Sequence, residues 1–437
     1  MKKQQIIKRA LLGALIISAL SVESVFAATV DLNLEKAINM ALKNNSTVKI
    51  SNAQLANAKA QVDQAQGARW GSITATHQSA RSDVYRSNGS VVTSSAQRVN
   101  NDFTNKVAIT VPIYTGGQLE GAIKQAKKNY EYYQYGMDSS YQTTKYNATE
   151  GYYNVLQASN TVTLSKETVD RLADHLKNTQ AQFDVGVVAK ADVLRSQVEL
   201  ADAQQTLTKA QNAYDVAIAN LDNVVGLSHD TKLNLSEGLE YKGYQNNLEN
   251  CMTYAMANRP EIHQAEAAVE MAKAAQQIAN GGNLPQVALS GSNAWNKDTF
   301  PGTDRENWAL GVSVSMNVWD YGVTAAKVAA AKANVVKAQE TYRQTVDSVQ
   351  LAVRSDYLGL REAEKRISTS SVAVSQAEED YRIAVIRYQA GVGTNTDVID
   401  ASVALTQAKN NYIQALYDYN TYRALLEQAM GVPVTQE

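Results

Sequence analysis

Proline is scarce in this chain: 5 among 437 residues, alongside 4 phenylalanines, 4 histidines and one cysteine. Each shortage excludes something. An internal proline breaks a helix, so five in all leave room for very long helices. The lone Cys251 cannot form an intrachain disulfide, so the fold depends on packing rather than cross-links. No apolar run of about 20 residues follows residue 27, which excludes a helical membrane span; if the mature chain enters a bilayer, it enters as strands. The histidines His77, His175, His229 and His263 show no metal-ligand spacing, and no HExxH, GxSxG, P-loop or Rossmann fingerprint occurs. The sequence therefore points away from an enzyme and implies neither a metal nor a cofactor. There is also no excess of basic charge to suggest nucleic acid.

Residues 1–27 carry the marks of a secretory signal peptide. MKKQQIIKR is a basic start, ALLGALIISAL an apolar run, and Val25-Phe26-Ala27 a small-residue cleavage site. Without that segment the formal charge of −2 becomes −5.

The remainder is rich in alanine, glutamine and tyrosine and repeats itself at a fixed offset of 205. Gly117, Tyr152, Gly186, Val187, Asp192, Val193, Tyr214, Leu221 and Gly226 recur as Gly322, Tyr357, Gly391, Val392, Asp397, Val398, Tyr419, Leu426 and Gly431. A weaker match links LEKAINMALKNNSTV (34–48) to LENCMTYAMANRPEI (248–262). The first repeat is placed at 28–226, with a helix, a β-hairpin at about 70–114 and a long helical hairpin at 117–226. A linker, 227–259, precedes the second repeat at 260–437, with a β-hairpin at about 285–319, a helical hairpin at 322–431 and a C-terminal tail. The first leg of each helical hairpin would be roughly 95–100 Å long at 1.5 Å per residue. Val193, Val198, Leu200 and Leu207, with Val398, Val403, Leu405 and Tyr412, fall at coiled-coil spacing.

NWALGVSVSMNV (307–318) alternates strictly: Trp308, Leu310, Val312, Val314, Met316 and Val318 are apolar, and small or polar residues lie between them. Its partner alternates Phe103, Val107, Ile109, Val111 and Ile113 against Thr104, Lys106 and Thr110. GSITATHQS (71–79) and QVALSGSNAW (286–295) are fainter alternators. All suit membrane β-strands of about 9–11 residues. Trp70, Trp295, Trp308 and Trp319 stand near the predicted strand ends, as an aromatic girdle would. Four strands close no known membrane barrel and an open edge is not tolerated in lipid, so several chains would share one.

In the order of these parts, in ANRPEI (257–262), and in the joints VPIYTGG and NVWDYG, the chain resembles the TolC family of outer-membrane efflux proteins. The resemblance implies an α+β membrane protein: four strands per chain in a trimeric, 12-stranded outer-membrane barrel, continued by a long periplasmic α-helical barrel. The linker would belong to its equatorial region. It implies a homotrimer serving as exit duct for efflux or type I secretion, partnered by a periplasmic adaptor (membrane fusion protein), an inner-membrane RND, ABC or MFS pump, and outer-membrane lipid. Asp397 and Asp400 match the aspartates ringing the pore constriction, and Tyr388 an aromatic at its closing contact. The hairpin tips at Gly186, Val187 and Asp192, and at Gly391, Val392 and Gly393, match those offered to the adaptor. The family often has arginine where this chain has Gly393. From the residues alone, Asp397 also suits plain helix capping. A soluble periplasmic coiled-coil scaffold is the alternative for the whole chain.

Overall fold

The computed structural model describes residues 29–84, 98–228 and 231–434. The expected signal peptide and the tip of the first β-hairpin lie outside those residues.

Four helices form two long hairpins: α3 (Gln118–Asp184) with α4 (Lys190–Val225), and α7 (Val323–Gln389) with α8 (Asn395–Met430). The 67-residue legs α3 and α7 contain no proline, and at 1.5 Å per residue each is about 100 Å long. Two shorter helix pairs precede the hairpins: α1 (Leu34–Asn44) with α2 (Ser46–Gly67), and α5 (Leu248–Asn258) with α6 (Pro260–Asn280). Pro260 sits at the start of α6, where its missing N–H costs nothing.

Small residues let the hairpin legs approach closely. Ser196, Ala203, Ala210 and Ala217 are buried at intervals of seven along α4, as are Ala401, Ala408 and Ala415 along α8. This seven-residue seam is coiled-coil packing with alanine knobs. Val198 and Val403 depart from the sequence expectation: they are 59% and 58% exposed, because they face away from the seam within the chain. Gly226 and Gly431 end α4 and α8 with φ of 77° and 74°. A Cβ would lie 2.6 Å from Asn44 Cβ in the first and 2.7 Å from the Asn258 carbonyl oxygen in the second. Both helices thus stop where the short helices press against them, at positions only glycine fills without strain.

The largest cores lie midway along the molecule. Tyr152, Val155, Leu221 and Val225 fill one, and Val353, Leu360, Tyr419 and Leu426 the other. The linker is strapped over them by hydroxyl bonds. The Tyr419 hydroxyl donates to the Lys242 carbonyl at 2.6 Å, and the Tyr152 hydroxyl accepts from the Glu237 N–H at 3.3 Å. Strands β1 (Thr29–Leu32) and β4 (Lys232–Leu235) form a parallel ribbon here; four residues were too short to announce themselves in the sequence.

At one end of the long helices, β2 (Ser72–Val84), β3 (Arg98–Tyr114), β5 (Gln286–Lys297) and β6 (Arg305–Ser315) make an antiparallel sheet in that order. The strands differ from their predicted limits. The first hairpin runs beyond the alternating stretch 71–79, because its polar residues still pair, Arg81 with Asn101 and Ser82 with Asn100. In the second hairpin β6 stops at Ser315 rather than Val318. Trp319 is therefore not at a strand end; it lies in the connection to α7, its ring centroid 5.9 Å from that of Tyr321. Among the described residues no helix is long and apolar enough to cross a membrane.

Candidate functional site

Pairing registers sort the sheet residues onto two faces, since directly opposed residues point the same way. One row runs Ile73, Ile109, Gly291, Leu310; others join Val111, Leu289 and Val312, or Val107, Asn293 and Trp308. The opposite face carries Thr74, Thr76, Lys106, Thr110, Ser290, Ser292, Asn307 and Ser313. The apolar face is bare: Trp308 is 78% exposed, Leu310 70%, Val312 62% and Val314 68%. From Trp308 to Val314 it extends roughly 20 Å along the strand at 3.3 Å per residue. Exposed Met316 and Val318 continue the alternation beyond it. A surface of this kind marks contact with a membrane or with another protein. The tryptophans stand at two levels, Trp70 and Trp319 beside the helices and Trp295 and Trp308 toward the hairpin tip. Among the described residues β2 and β6 each pair on one side only, which leaves the sheet two open edges.

The far ends of the helical hairpins carry the second set of candidates. Gly186 and Gly391, with φ of 77° and 72°, turn the chain in the left-handed region. Val187 and Val392 are thereby presented to solvent, exposed at both tips. Asp397 behaves as the capping alternative requires. The Thr394 N–H donates to Asp397 Oδ2 at 2.9 Å, and the Asp397 N–H donates to Thr394 Oγ1 at 3.2 Å, closing a capping box. The Thr394 N–H, the Thr394 hydroxyl and then the Arg387 charge hold this carboxyl below the usual carboxylate range. It is ionised at neutral pH and remains exposed, as does Asp400 one turn on. The first tip does not copy the box: the residue that precedes α4 is Ala189, which gives no side-chain cap, and Asp192 is only a first-turn acid.

Tyr388 does not share the surface of the two aspartates. It is buried, its hydroxyl donates to Thr179 Oγ1 at 3.2 Å, and its ring lies 5.1 Å from that of His175. It therefore acts between α7 and α3 rather than at a lining surface. A Cβ on Gly393 would sit 3.0 Å from the Tyr388 nitrogen and 3.1 Å from Arg387 Cβ, so a side chain there would press on the last turn of α7.

Motif reading missed Asn395, the first residue of α8. Its Oδ1 accepts from His175 Nε2 at 2.6 Å and from Ser196 Oγ at 3.1 Å, while its Nδ2 donates to the Asp192 carbonyl at 3.1 Å. One side chain of the second hairpin thus binds three groups of the first. A usable signal did exist. At the 205-residue offset Asn395 falls on Lys190, His175 on Asp380 and Ser196 on Ala401, so this cluster is built where the two copies disagree.

The family model for outer membrane efflux proteins matches residues 37–227 and 252–432. The chain belongs to the outer membrane efflux protein family. Outer membrane protein TolC of Escherichia coli K12 is 24% identical over 312 residues, covering 67% of this chain and 63% of that protein, somewhat under two thirds of its length. Outer membrane efflux protein BepC of Brucella suis is 22% identical over 424 residues, covering 94% of this chain and 89% of that one. Among solved structures, the Campylobacter jejuni CmeC outer membrane channel superposes with a TM-score of 0.84 at 17% identity, over 92% of this chain and 86% of that chain. The family is one of the outer membrane, and the likeness to the CmeC channel shows the fold.

Proposed function

We propose that the chain is the outer-membrane exit duct of a tripartite efflux or type I secretion system, working as a homotrimer. The observation that carries this reading is the sheet: one bare apolar face, one polar face and two open edges, joined to helices about 100 Å long. Three copies joined edge to edge would give 12 strands, within the range of known membrane barrels, with the apolar faces toward lipid and the polar faces lining a lumen. The four tryptophans would form the two aromatic girdles. The chain divides, on this reading, into tandem repeats at 28–226 and 260–437 with an equatorial linker between them. The alanine-seamed hairpins would line a periplasmic tunnel and meet an adaptor at the tips around Gly186, Val187 and Asp192 and around Gly391, Val392 and Gly393. The adaptor would in turn join an inner-membrane pump of the RND, ABC or MFS type, with small molecules or proteins as cargo. A soluble adaptor would have to hide the apolar face, and fractionation with outer-membrane porins separates the two readings.

Transport here is passive, so the chemistry is that of a gated pore. Asp397 and Asp400 of three chains would form two acidic rings at the tunnel mouth. Like charges about 6 Å apart repel by ~0.7 kcal/mol in water and ~2.8 kcal/mol at an effective dielectric of 20. Such rings favour cations and resist full closure at neutral pH. Replacing both aspartates by asparagine should lower cation selectivity severalfold in planar bilayers at low salt. Asparagine still offers an oxygen to the Thr394 N–H, so the cap survives. Selectivity equal to that of the parent would remove the ring assignment.

The duct itself is tested by purifying the full chain in detergent and measuring oligomer mass and bilayer conductance on one sample. A trimer with steady conductance is expected, and a monomer without conductance would end the reading. Deleting the gene and scoring drug susceptibility beside missing secreted proteins would separate the two cargo classes.

A further inference from the structure

The cluster around Asn395 is buried, polar, and spans two hairpins that a gated duct would have to move apart. Asn395 is only 3% exposed, and His175 and Ser196 are buried with it. The Asn395 amide is fixed in orientation, because its Nδ2 donates to the Asp192 carbonyl and its Oδ1 accepts the Ser196 hydroxyl. The same Oδ1 therefore accepts from His175, whose Nε2 must carry the proton. Next to it, the His175 carbonyl accepts from the Thr179 hydroxyl at 3.0 Å, and Thr179 Oγ1 in turn accepts from Tyr388. Asn395 lies within two turns of both proposed gate aspartates along α8.

We infer that His175, Ser196 and Asn395 form a proton-operated latch, which holds the two hairpin tips of a chain together while His175 is neutral and frees them when it is protonated. This rests on the duct reading for its consequence, gate opening, but not for the contact itself.

The groups facing His175 decide the sign. On α3, Arg171 turns to Thr168 and Thr406, and Asp174 lies beside His175 in sequence. On α4, the Asp192 carbonyl accepts from Asn395, and Arg195 donates to Thr396. On α7 the His175 ring meets Tyr388; Tyr381 packs against the cluster that holds Tyr388, with the Arg171 guanidinium 5.8 Å from its ring centroid. On α8 the Asp397 carboxylate is turned back to Thr394. Among the described residues no carboxylate accepts from the His175 ring; its hydrogen-bond partner is the neutral Asn395. A second proton would create a buried cation without a counter-ion, which is strongly unfavourable. Burial accordingly holds His175 below its ordinary value of 6.5, against the smaller upward pull of the Asn395 bond. With the tips apart and the ring in water, His175 returns towards 6.5. The closed contact thus binds fewer protons than the open one. It is fully favoured above that value and is lost progressively as pH falls below it, by up to tenfold per pH unit for each chain.

The experiment is single-channel recording of the full chain between pH 7.5 and 5.5, with His175→Gln and Asn395→Ala beside the parent. Glutamine keeps an N–H for Asn395 but cannot take a proton. The parent should open at least tenfold more often at pH 5.5, His175→Gln should change less than twofold, and Asn395→Ala should be leaky at both pH values. Asp397, Asp400 and the other histidines remain in His175→Gln, so an unaltered pH profile in that variant would overturn the latch. Hydrogen-exchange protection factors for segments 172–198 and 386–402, measured on the same detergent samples, read the contact without any current. Loss of protection at pH 5.5 in the parent but not in His175→Gln supports the latch even if no channel conducts. Equal loss in both overturns it even if conduction is normal.

Discussion

Replacing Leu310 with arginine should keep the chain out of the outer membrane. Leu310 lies mid-strand on the apolar face, in the row Ile73–Ile109–Gly291–Leu310. It leans over Gly291, where a Cβ would come within 3.5 Å of Leu310 Cδ1. An arginine on the lipid face near mid-bilayer costs about 2–4 kcal/mol. In the proposed trimer the cost would be on the order of 6–12 kcal/mol per barrel, comparable to the whole stability of a folded domain. The matched control is Ala309→Arg, one residue earlier and on the polar face. It should insert normally and alter conductance instead, because there the guanidinium meets water. Outer-membrane fractionation and the yield of assembled oligomer give the readout. Normal assembly of Leu310→Arg would mean that this face does not meet lipid.

The second large effect belongs to Tyr419. Its ring is wholly buried among Leu360, Val353 and Leu426, and its hydroxyl ties the linker at Lys242. Removing a buried aromatic ring to alanine costs about 3–5 kcal/mol, whereas Tyr419→Phe forfeits only the hydrogen bond, about 1 kcal/mol. Tyr419→Ala should therefore lower the thermal midpoint in detergent strongly and open residues 236–247 to protease. Tyr419→Phe should release the linker with a much smaller change in midpoint. If both variants cut and melt alike, the strap is not what holds the linker down.

The long hairpins were legible because their signals are local and repeated: no internal proline, and glycine at the matched turns; the alanine seam itself was not, since the sequence pattern singled out Val198 and Val403, which face away from it. The strands were legible in type but not in extent. Alternation ends at Val318, yet pairing ends at Ser315; conversely, Ser82 and Asn100 pair without any apolar pattern to betray it. Hydropathy marks the surface that a strand offers, while pairing follows from where the neighbouring strand lies. The tips were half legible. Asp397 was open to two roles in the sequence, and its side chain is engaged in a cap while staying exposed. Tyr388 is buried between helices, a position that no reading of its own hairpin could supply. Asn395 and His175, 220 residues apart, are joined only by tertiary packing.

The two unpaired edges of the four-stranded sheet have a genetic corollary. If three chains share one barrel as proposed, a subunit could not finish it alone, so a copy with a crippled edge strand would still recruit healthy neighbours and ruin the ring they join. With random mixing of equal amounts into threes, roughly one ring in eight would be free of the faulty copy. Damage to β2 or β6 should thus act dominantly over a normal gene. Damage so severe that the chain never reaches its partners should instead be recessive.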